Sequence, residues 1–383
     1  MTYKSSIYLD FNATTPLDPV VLEAMIPYFT ENFGNASSQT HQAGRICAAK
    51  VEDARALIAE AIGAEPNELI FTSGSTESIN IALTGIYQAY KSKGNHIITW
   101  QTEHNAVLET LNNLESLGAE ITRLPVFRDG MPDISFLRSS IRNDTILVVC
   151  MTANNETGVL NPIEEIADIT HSKNAILFSD ATQSIGKVKF DVNDCGVDAV
   201  SISAHKFYGP KGVGALYLRR KKPRVKIKPL TYGGGQENGL RPGTLNVAGI
   251  IGMAKAIELA VDNLWDQSAN QSRLRTLLEQ GLEQNSGIHI NGNIRNRLPN
   301  TSNILFSGVK NEKLIMAVPQ IQFAVGSACT SVLPRPSHVL RSMGLDELSC
   351  NSSVRFSLGK TTTQKEIMSI IEILNAAVNS LRE

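Results

Sequence analysis

Short apolar runs alternate with helical patterns along much of the sequence, and this alternation constrains the fold more than any other feature. From about residue 50 to 220, strand-like runs such as "ELIFTSG", "HIITW" and "AILFSDATQ" are separated by helix-like stretches such as "STESINIALTGIYQAYKSKG". The strands are continuously apolar, which is typical of strands buried on both faces of a sheet. The sequence therefore predicts the α/β class, with a mostly parallel seven-stranded sheet flanked by helices.

The pattern changes after about residue 245. A long helical stretch leads into the short strand-like runs "IHINGN" and "NTSNILFSG" and then into a C-terminal helix. A chain of 383 residues is long enough for two domains. We predict a large domain over 15–260 and a smaller α+β domain built from 1–14 and 261–383.

The overall charge excludes some classes of partner. The net charge is -1 and the sequence pI is near 6.7, so neither direct nucleic-acid binding nor a membrane partner is expected. The N-terminus lacks a signal-peptide core, and no apolar run reaches the roughly 18 residues of a membrane helix. We expect a cytoplasmic protein. The basic run at 219–229 is interpreted as a solvated hairpin edge, with a docking surface for an acidic partner as the alternative.

Five cysteines, at 47, 150, 195, 329 and 350, form no C-x-x-C pair. This spacing predicts neither a metal site nor a disulfide scaffold. Cys150 in "ILVVCM" and Cys47 in an alanine-rich helix are predicted to be core residues. Cys329 differs, because it lies in the small, polar stretch "GSACTS".

Polar side chains follow four consecutive predicted strands. They are His104 in "TEHNAV", Asn155 in "ANNETG", Asp180 in "FSDATQS" and Lys206 in "SAHKFYGPKG". Each has an ordinary explanation, such as a surface histidine or a lysine at a strand end. Ligands of open α/β sheets bind at the carboxyl ends of the strands, so all four together favour a site.

This combination of residue types suits pyridoxal phosphate. That cofactor needs a lysine amine for its Schiff base and a carboxylate beside its pyridine nitrogen, for which Lys206 and Asp180 are the candidates. His104 could stack on the ring. A helix beginning at "STES" could bind the phosphate at its N-terminus, although a plain helix N-cap is the alternative. The phosphate candidates are Ser75, Thr76, Ser203 and His205.

Several motifs together resemble one family. They are "YLDFNATTPLDP", "FTSGSTESIN", "TEHNAVLE", "NNETG", "DATQSIGK", "SAHKFYGPKGVGALY" and "GSACTS…SSVRFSLG". With consistent spacing over nearly the whole chain, they resemble cysteine desulfurases of the NifS/IscS type. These belong to the class V aminotransferase group of fold-type I pyridoxal-phosphate enzymes. The resemblance implies a homodimer that converts L-cysteine to L-alanine.

The resemblance also implies a role for each matching residue. Cys329, on a mobile loop of the small domain, would take the sulfur as a persulfide, and Lys206 would remove the Cα proton. The remaining implied contacts are ring contacts by His104, Asp180 and Gln183, phosphate contacts by Ser75, Thr76, Ser203, His205 and a partner subunit's Thr244, and substrate-carboxylate contacts by Asn155 and Arg355.

The sulfur acceptor is left open by the resemblance. An iron–sulfur scaffold, tRNA thiolation and DNA phosphorothioation are the candidate destinations. The chain ends at "NSLRE", where IscS proteins carry a further segment that helps to dock the scaffold, so that partner is the least supported. A selenocysteine lyase or related β-eliminating lyase is the alternative activity, and a scaffold without chemistry is the alternative class.

Overall fold

The computed structural model describes residues 6–222, 224–325 and 336–383. Its strands are β1 (Ile7–Tyr8), β2 (Leu69–Thr72), β3 (His96–Trp100), β4 (Glu120–Leu124), β5 (Thr145–Val149), β6 (Ile176–Asp180), β7 (Ala199–Ser203), β8 (Gly214–Leu218), β9 (Ile288–Asn291), β10 (Thr301–Phe306), β11 (Ile321–Gln322) and β12 (Ser353–Ser357).

The helices are α1 (Pro19–Met25), α2 (Pro27–Thr30), α3 (Gln42–Ala61), α4 (Ser75–Tyr90), α5 (Asn105–Ser116), α6 (Ile134–Ser140), α7 (Ile163–His171), α8 (Val247–Asp262), α9 (Leu264–Glu283), α10 (Asn311–Ala317), α11 (His338–Ser342), α12 (Glu347–Cys350) and α13 (Gln364–Arg382). None of these described helices is both long and apolar enough to cross a bilayer.

Strands β2 to β8 form one seven-stranded sheet in the order β2-β8-β7-β6-β5-β3-β4. Strands β3 to β7 pair in parallel, whereas β8 runs antiparallel to both of its neighbours, β2 and β7. The predicted mostly parallel seven-stranded sheet is therefore confirmed.

Helices cover both faces of this sheet. Along β5, Val148 belongs to the core under α3 and α8, while Leu147 and Val149 belong to the core under α4 and α5. Successive side chains of a strand point to opposite faces, so a strand buried on both sides must be apolar at every position. At roughly 1.5–3 kcal/mol for each buried aliphatic side chain, the two cores hold the strand ends in fixed positions.

A third core forms beside the sheet. It combines Leu9 with residues of α9, β9, β10, β12 and α13, among them Leu274, Ile304, Phe356 and Ile370. Strand β1 joins this region by pairing in parallel with β11. Residues 7–9 thus pack with α9 and the elements that follow it. The boundaries 1–14, 15–260 and 261–383 stay a prediction.

The N-terminal segment, defined here as residues 6–18, crosses from the third core to the sheet. The Asn12 backbone N–H donates to Ser357 Oγ at 2.9 Å, and its side-chain amide donates to Thr301 Oγ1 at 2.8 Å. Its carbonyl oxygen accepts a hydrogen bond from Gln183 Nε2 at 2.9 Å, next to the sheet. Asn12 is 1% exposed and links the two regions.

Two details differ from the sequence expectation. The long helical stretch divides into α8 and α9, which meet at Asn263. The basic run at 219–229 is not a hairpin edge, because β8 ends at Leu218 and lies inside the sheet. Within the described part of this run, Val225 is buried and Ile227 packs on the core under α4. The apolar residues between the lysines therefore fold onto the protein instead of extending a strand.

Candidate active site

A cavity of about 570 Å³ opens at the carboxyl ends of the central strands. Residues from the sheet, from α4 and from the N-terminal segment form its walls. Ten of the residues predicted from the sequence line it, namely Ser75, Thr76, His104, Asn155, Asp180, Gln183, Ser203, His205, Lys206 and Arg355. The strand ends that carried unexplained polar residues therefore meet in one place, as the sheet topology requires.

Lys206 lies at the end of a single 3₁₀ turn, Ala204–Lys206, that directly follows β7. Its Nζ donates to the carbonyl oxygens of Asn12 at 2.6 Å and Ala13 at 2.8 Å. Both carbonyls belong to the N-terminal segment, to which no role had been assigned from the sequence. The motif "FNATT" was the available signal, because it places small polar residues directly after an apolar strand.

Asp180 ends β6, and hydrogen bonds hold one of its two carboxylate oxygens. Oδ1 accepts from Ser201 Oγ at 2.8 Å, from Ser75 Oγ at 3.2 Å and from the Thr182 backbone N–H at 3.1 Å. These donors fix the orientation of the carboxylate. None of the three bonds uses Oδ2, so that oxygen can accept from an N–H group in the cavity.

The N-terminus of α4 carries no side-chain cap. Gly74 occupies the N-cap position with φ 147°, and within the described part of the chain no side-chain cap hydrogen bond is made to the first N–H groups of the helix. The alternative that Ser75 or Thr76 is an ordinary N-cap is therefore wrong. A Cβ at residue 74 would lie 3.4 Å from Ser203 Oγ. The absence of that carbon leaves a pocket in which free N–H groups and the helix dipole favour an anion.

His104 caps the next helix and lines the same cavity. Its Nδ1 accepts a hydrogen bond from the Ala106 N–H at 3.1 Å, at the start of α5. The residue is half-buried, so the alternative of an exposed surface histidine is wrong. The cap fixes the ring at the cavity wall, while stacking on a ligand stays a prediction.

His205 is held uncharged by its surroundings. Burial, together with the neighbouring Lys206, Lys211 and Lys187, lowers the pKa of His205 to about 4. Its Nδ1 lies 3.1 Å from Thr14 Oγ1. A neutral imidazole at pH 7 can donate one hydrogen bond to an anion without adding a charge to the site.

Arg355 on β12 projects toward the cavity from the third-core side. Its Nη1 donates to the Asn155 carbonyl oxygen at 2.9 Å, and its Nη2 to Asp10 Oδ1 at 2.5 Å. The side chain is 3% exposed, and its Nε has no hydrogen-bond partner among the described residues. Asp10 was not predicted from the sequence; its carboxylate fixes the guanidinium at the cavity wall.

One predicted residue, Thr244, does not join this group. Thr244 is exposed and lines a separate cavity of about 110 Å³ with Ser73 and Gly212. Its implied role in a partner subunit's site stays a prediction. Cys329 lies outside the described residues. Cys47 and Cys150 are buried, as predicted.

The residues that line the cavity fit pyridoxal phosphate. Asp180 offers a carboxylate oxygen for a pyridinium N–H, and the uncapped N-terminus of α4 with its missing Cβ offers room for a phosphate. Lys206 lines the same cavity and supplies the amine. An anion pocket, an amine and an oriented carboxylate within one cavity match the three polar groups of that cofactor.

Comparison with known proteins identifies the family. The model of the aminotransferase class-V family matches residues 7–370. The chain belongs to the class-V aminotransferases. Within that family, the cysteine desulfurase IscS of Anaeromyxobacter sp. (strain Fw109-5) is 48% identical over 381 residues, covering 99% of this chain and 94% of that protein. The predicted membership of the cysteine desulfurases is thereby confirmed.

Solved structures agree with this class-V fold. A structure described as a NifS-like protein superposes with a TM-score of 0.92 at 37% identity, covering 98% of this chain and all of that one. A second, described as SspA in complex with cysteine, has a TM-score of 0.81 at 34% identity and covers 92% and 98% of the two chains. The family is pyridoxal-phosphate dependent, which agrees with the donors found in the cavity.

Proposed function

We propose that this protein is a pyridoxal-phosphate-dependent L-cysteine desulfurase that converts L-cysteine to L-alanine. One observation carries the proposal. The amine of Lys206, the oriented carboxylate of Asp180 and the uncapped N-terminus of α4 line the same cavity in a member of the cysteine desulfurase family.

The cofactor and the side chains divide the work. When bound, pyridoxal phosphate supplies an electron sink that acidifies the substrate Cα–H and weakens the Cβ–S bond. Lys206 is the attachment point for the cofactor and the base that takes the Cα proton. Asp180 Oδ2 keeps the pyridine nitrogen protonated. Arg355 and Asn155 orient the substrate carboxylate, and the neutral His205 donates to the phosphate.

Sulfur leaves by attack of Cys329. The Cys329 thiolate attacks the sulfur of the bound cysteine, so an S–S bond forms while the Cβ–S bond breaks. The electron pair of that bond stays on the carbon, which takes up a proton and becomes the methyl group of alanine, while Lys206 returns the proton it took to Cα. Cys329 is left as a persulfide, which carries the transferred sulfur to an acceptor.

The described residues on either side of Cys329 support this assignment. Ala324 exchanges two backbone hydrogen bonds with Arg355. Beyond the cysteine, Ser337 Oγ donates to Glu156 Oε2 at 2.5 Å, and His338 Nε2 lies 2.9 Å from the Glu103 carbonyl oxygen. Cys329 is the fifth residue after Ala324, and five residues span at most about 17 Å. Ala324, from which that length is counted, is hydrogen-bonded to Arg355, and Arg355 lines the cavity.

A homodimer is part of the proposal. The implied phosphate contact of Thr244 lies outside the cavity of its own chain. In and after α1 and α2, the large apolar side chains of Ile26, Phe29 and Phe33 are exposed, at 50%, 60% and 75%. Apolar side chains grouped in this way are typical of protein–protein contact surfaces. Sedimentation showing an active monomer would contradict the dimer.

The acceptor is proposed as a protein or pathway that takes persulfide sulfur in the cytoplasm. Iron–sulfur scaffold assembly, tRNA thiolation and DNA phosphorothioation are the three candidate destinations. Labelled cysteine separates them, because ³⁵S passes from the enzyme to its acceptor. Capture and identification of the labelled product tests each destination directly.

Two variants test the chemistry. Lys206→Ala should abolish alanine formation, and Cys329→Ser should retain cofactor absorbance while losing ³⁵S transfer to protein. Lys189→Ala, a change at an exposed lysine, is the control. Full turnover by Lys206→Ala would refute the role of the amine, and ³⁵S labelling of Cys329→Ser at the native level would refute the nucleophile. The lyase alternative would be favoured if Cys329→Ser turned over selenocysteine faster than the native protein turns over cysteine.

A further inference from the structure

A buried lysine that the mechanism does not use lies behind the cavity. Lys187 is 8% exposed, and its Nζ donates to Gln183 Oε1 at 2.5 Å and to Asn12 Oδ1 at 3.0 Å. Buried lysines are usually paired with a carboxylate. Both of these acceptors are neutral amide oxygens, so among the residues that the structure describes no opposite charge offsets the burial of this amine.

The charged groups around Lys187 have the same sign as its ammonium. Burial lowers the pKa of Lys187 well below its usual value, and Lys206 and Arg355 lower it further. An amine in this environment destabilises the fold, whereas a methionine of similar length would fill the space without that cost. Packing alone therefore does not explain the lysine.

The geometry gives Lys187 a specific effect on Gln183. A glutamine carboxamide has an acceptor end and a donor end, and the amine of Lys187 donates to the acceptor end. If the amide turned over, its NH₂ group would face the Lys187 N–H groups. The amide is thus fixed with Nε2 toward the Asn12 carbonyl oxygen, 2.9 Å away.

The second hydrogen bond of Lys187 acts on the same wall. Asn12 Oδ1 accepts from Lys187, and the Asn12 carbonyl oxygen accepts both Gln183 Nε2 and Lys206 Nζ. The Lys187 amine therefore contacts both the Gln183 carboxamide and the Asn12 side chain. The Asn12 carbonyl oxygen in turn contacts Gln183 and Lys206. Gln183 lines the cavity and has a second Nε2 N–H beyond the one given to Asn12.

We propose that Lys187 is a positioning residue that locks the Gln183 carboxamide with its nitrogen end available to the ring oxygen of the cofactor. This inference rests on the proposed function. Lys187 itself does not contact the cofactor; it acts through Gln183 and Asn12. Loss of its amine removes one of the two hydrogen bonds that fix the carboxamide, so the amide turns over in part of the molecules and its oxygen then faces the ring oxygen.

A double-mutant cycle on the full-length protein tests the inference. The variants are Lys187→Met, Gln183→Ala and their combination, with exposed Lys189→Met as the control. The dissociation constant of pyridoxal phosphate is measured by titrating cofactor-free protein, together with the pH midpoint of its visible absorbance. Lys187→Met should weaken cofactor binding about tenfold, the loss expected for one strong hydrogen bond, and should shift the pH midpoint. Lys189→Met should change neither.

The cycle separates positioning from simple structural support. Because Lys187 acts through Gln183, adding Lys187→Met to Gln183→Ala should change the dissociation constant less than twofold. Lys187→Gln, which keeps an N–H donor, should recover part of the affinity and guards against a methionine variant that does not fold. A native-like dissociation constant for Lys187→Met, or fully multiplicative effects in the cycle, would overturn the inference. A native protein that binds no pyridoxal phosphate would overturn the proposed function itself.

Discussion

Removing Arg55 should destabilise the protein strongly, because Arg55 is half of a buried ion pair. Its Nη1 and Nη2 donate to Glu237 Oε2 at 2.9 Å and Oε1 at 2.7 Å. The Glu237 side chain is 2% exposed and also accepts the Phe71 backbone N–H at 2.7 Å. Burial lowers the pKa of Arg55 and the Glu237 contact raises it, with a net upward shift, so the guanidinium stays charged.

The size of the effect follows from what Arg55→Met leaves behind. The Glu237 carboxylate would remain buried with only the Phe71 N–H, and an uncompensated buried charge costs about 3–5 kcal/mol. The guanidinium also lies 4.5 Å from the Phe71 ring centroid, a cation–π contact of about 0.5–1 kcal/mol. We expect the free energy of unfolding to fall by about 4 kcal/mol.

The matched control removes the other, exposed partner of the same arginine. Glu52 is 64% exposed and lies 3.2 Å from Arg55 Nε, so Glu52→Gln should cost less than about 1 kcal/mol. The double variant Arg55→Met with Glu237→Gln keeps an acceptor for the Phe71 N–H and removes the stranded charge. It should regain about 2 kcal/mol relative to Arg55→Met alone.

Urea unfolding followed by far-UV circular dichroism measures these differences. Protein concentration must be the same for all variants, because a dimer makes stability concentration-dependent. A loss below about 1 kcal/mol for Arg55→Met would refute the reasoning. So would a double variant that is no more stable than the single one, because the cost would then not come from the stranded carboxylate.

Three further predictions concern titration and close packing. The Asp198 hydrogen bond raises the pKa of His171. The contribution of His171 to the free energy of unfolding should therefore be complete below about pH 6.5 and decline as pH rises through the raised pKa. His171→Gln should remove that decline, and a pH profile unchanged by the substitution would contradict the prediction. Burial lowers the pKa of His205 to about 4, and a midpoint above 6 in an NMR titration would disprove that environment. Gly214→Ala places a Cβ 2.3 Å from the Ile202 carbonyl oxygen and 2.7 Å from Gly74 Cα, so it should lower both the melting temperature and the affinity for the cofactor. Gly235→Ala is the control, because a Cβ there meets no atom of the described residues within 4 Å, and it should change neither quantity.

The fold was predictable because the sheet is buried on both faces. Continuous apolar runs then mark each strand, and the residue types directly after them mark the cavity. His104, Asp180 and Lys206 could be found in this way, since each follows a strand in sequence. The same rule explains why Asn155 was found.

The remaining part of the site depends on contacts between distant segments. Asp10 meets Arg355 and Asn12 meets Lys206 across more than 190 positions of sequence, and local spacing carries no information about such pairs. Lys187 follows Gln183 by four residues, but its burial depends on the N-terminal segment that covers it. The interior position of β8, and hence the fold of the basic run, likewise depends on strand order rather than on local pattern.

The contacts of Asn12 have a consequence for the order in which the protein matures on the ribosome. Asn12 is synthesised before Thr301 and Ser357, which hold it, by 289 and 345 residues. A nascent chain can complete the seven-stranded sheet well before these partners emerge. The carbonyl groups that hold the Lys206 amine therefore reach their final place only after Thr301 and Ser357 have been synthesised.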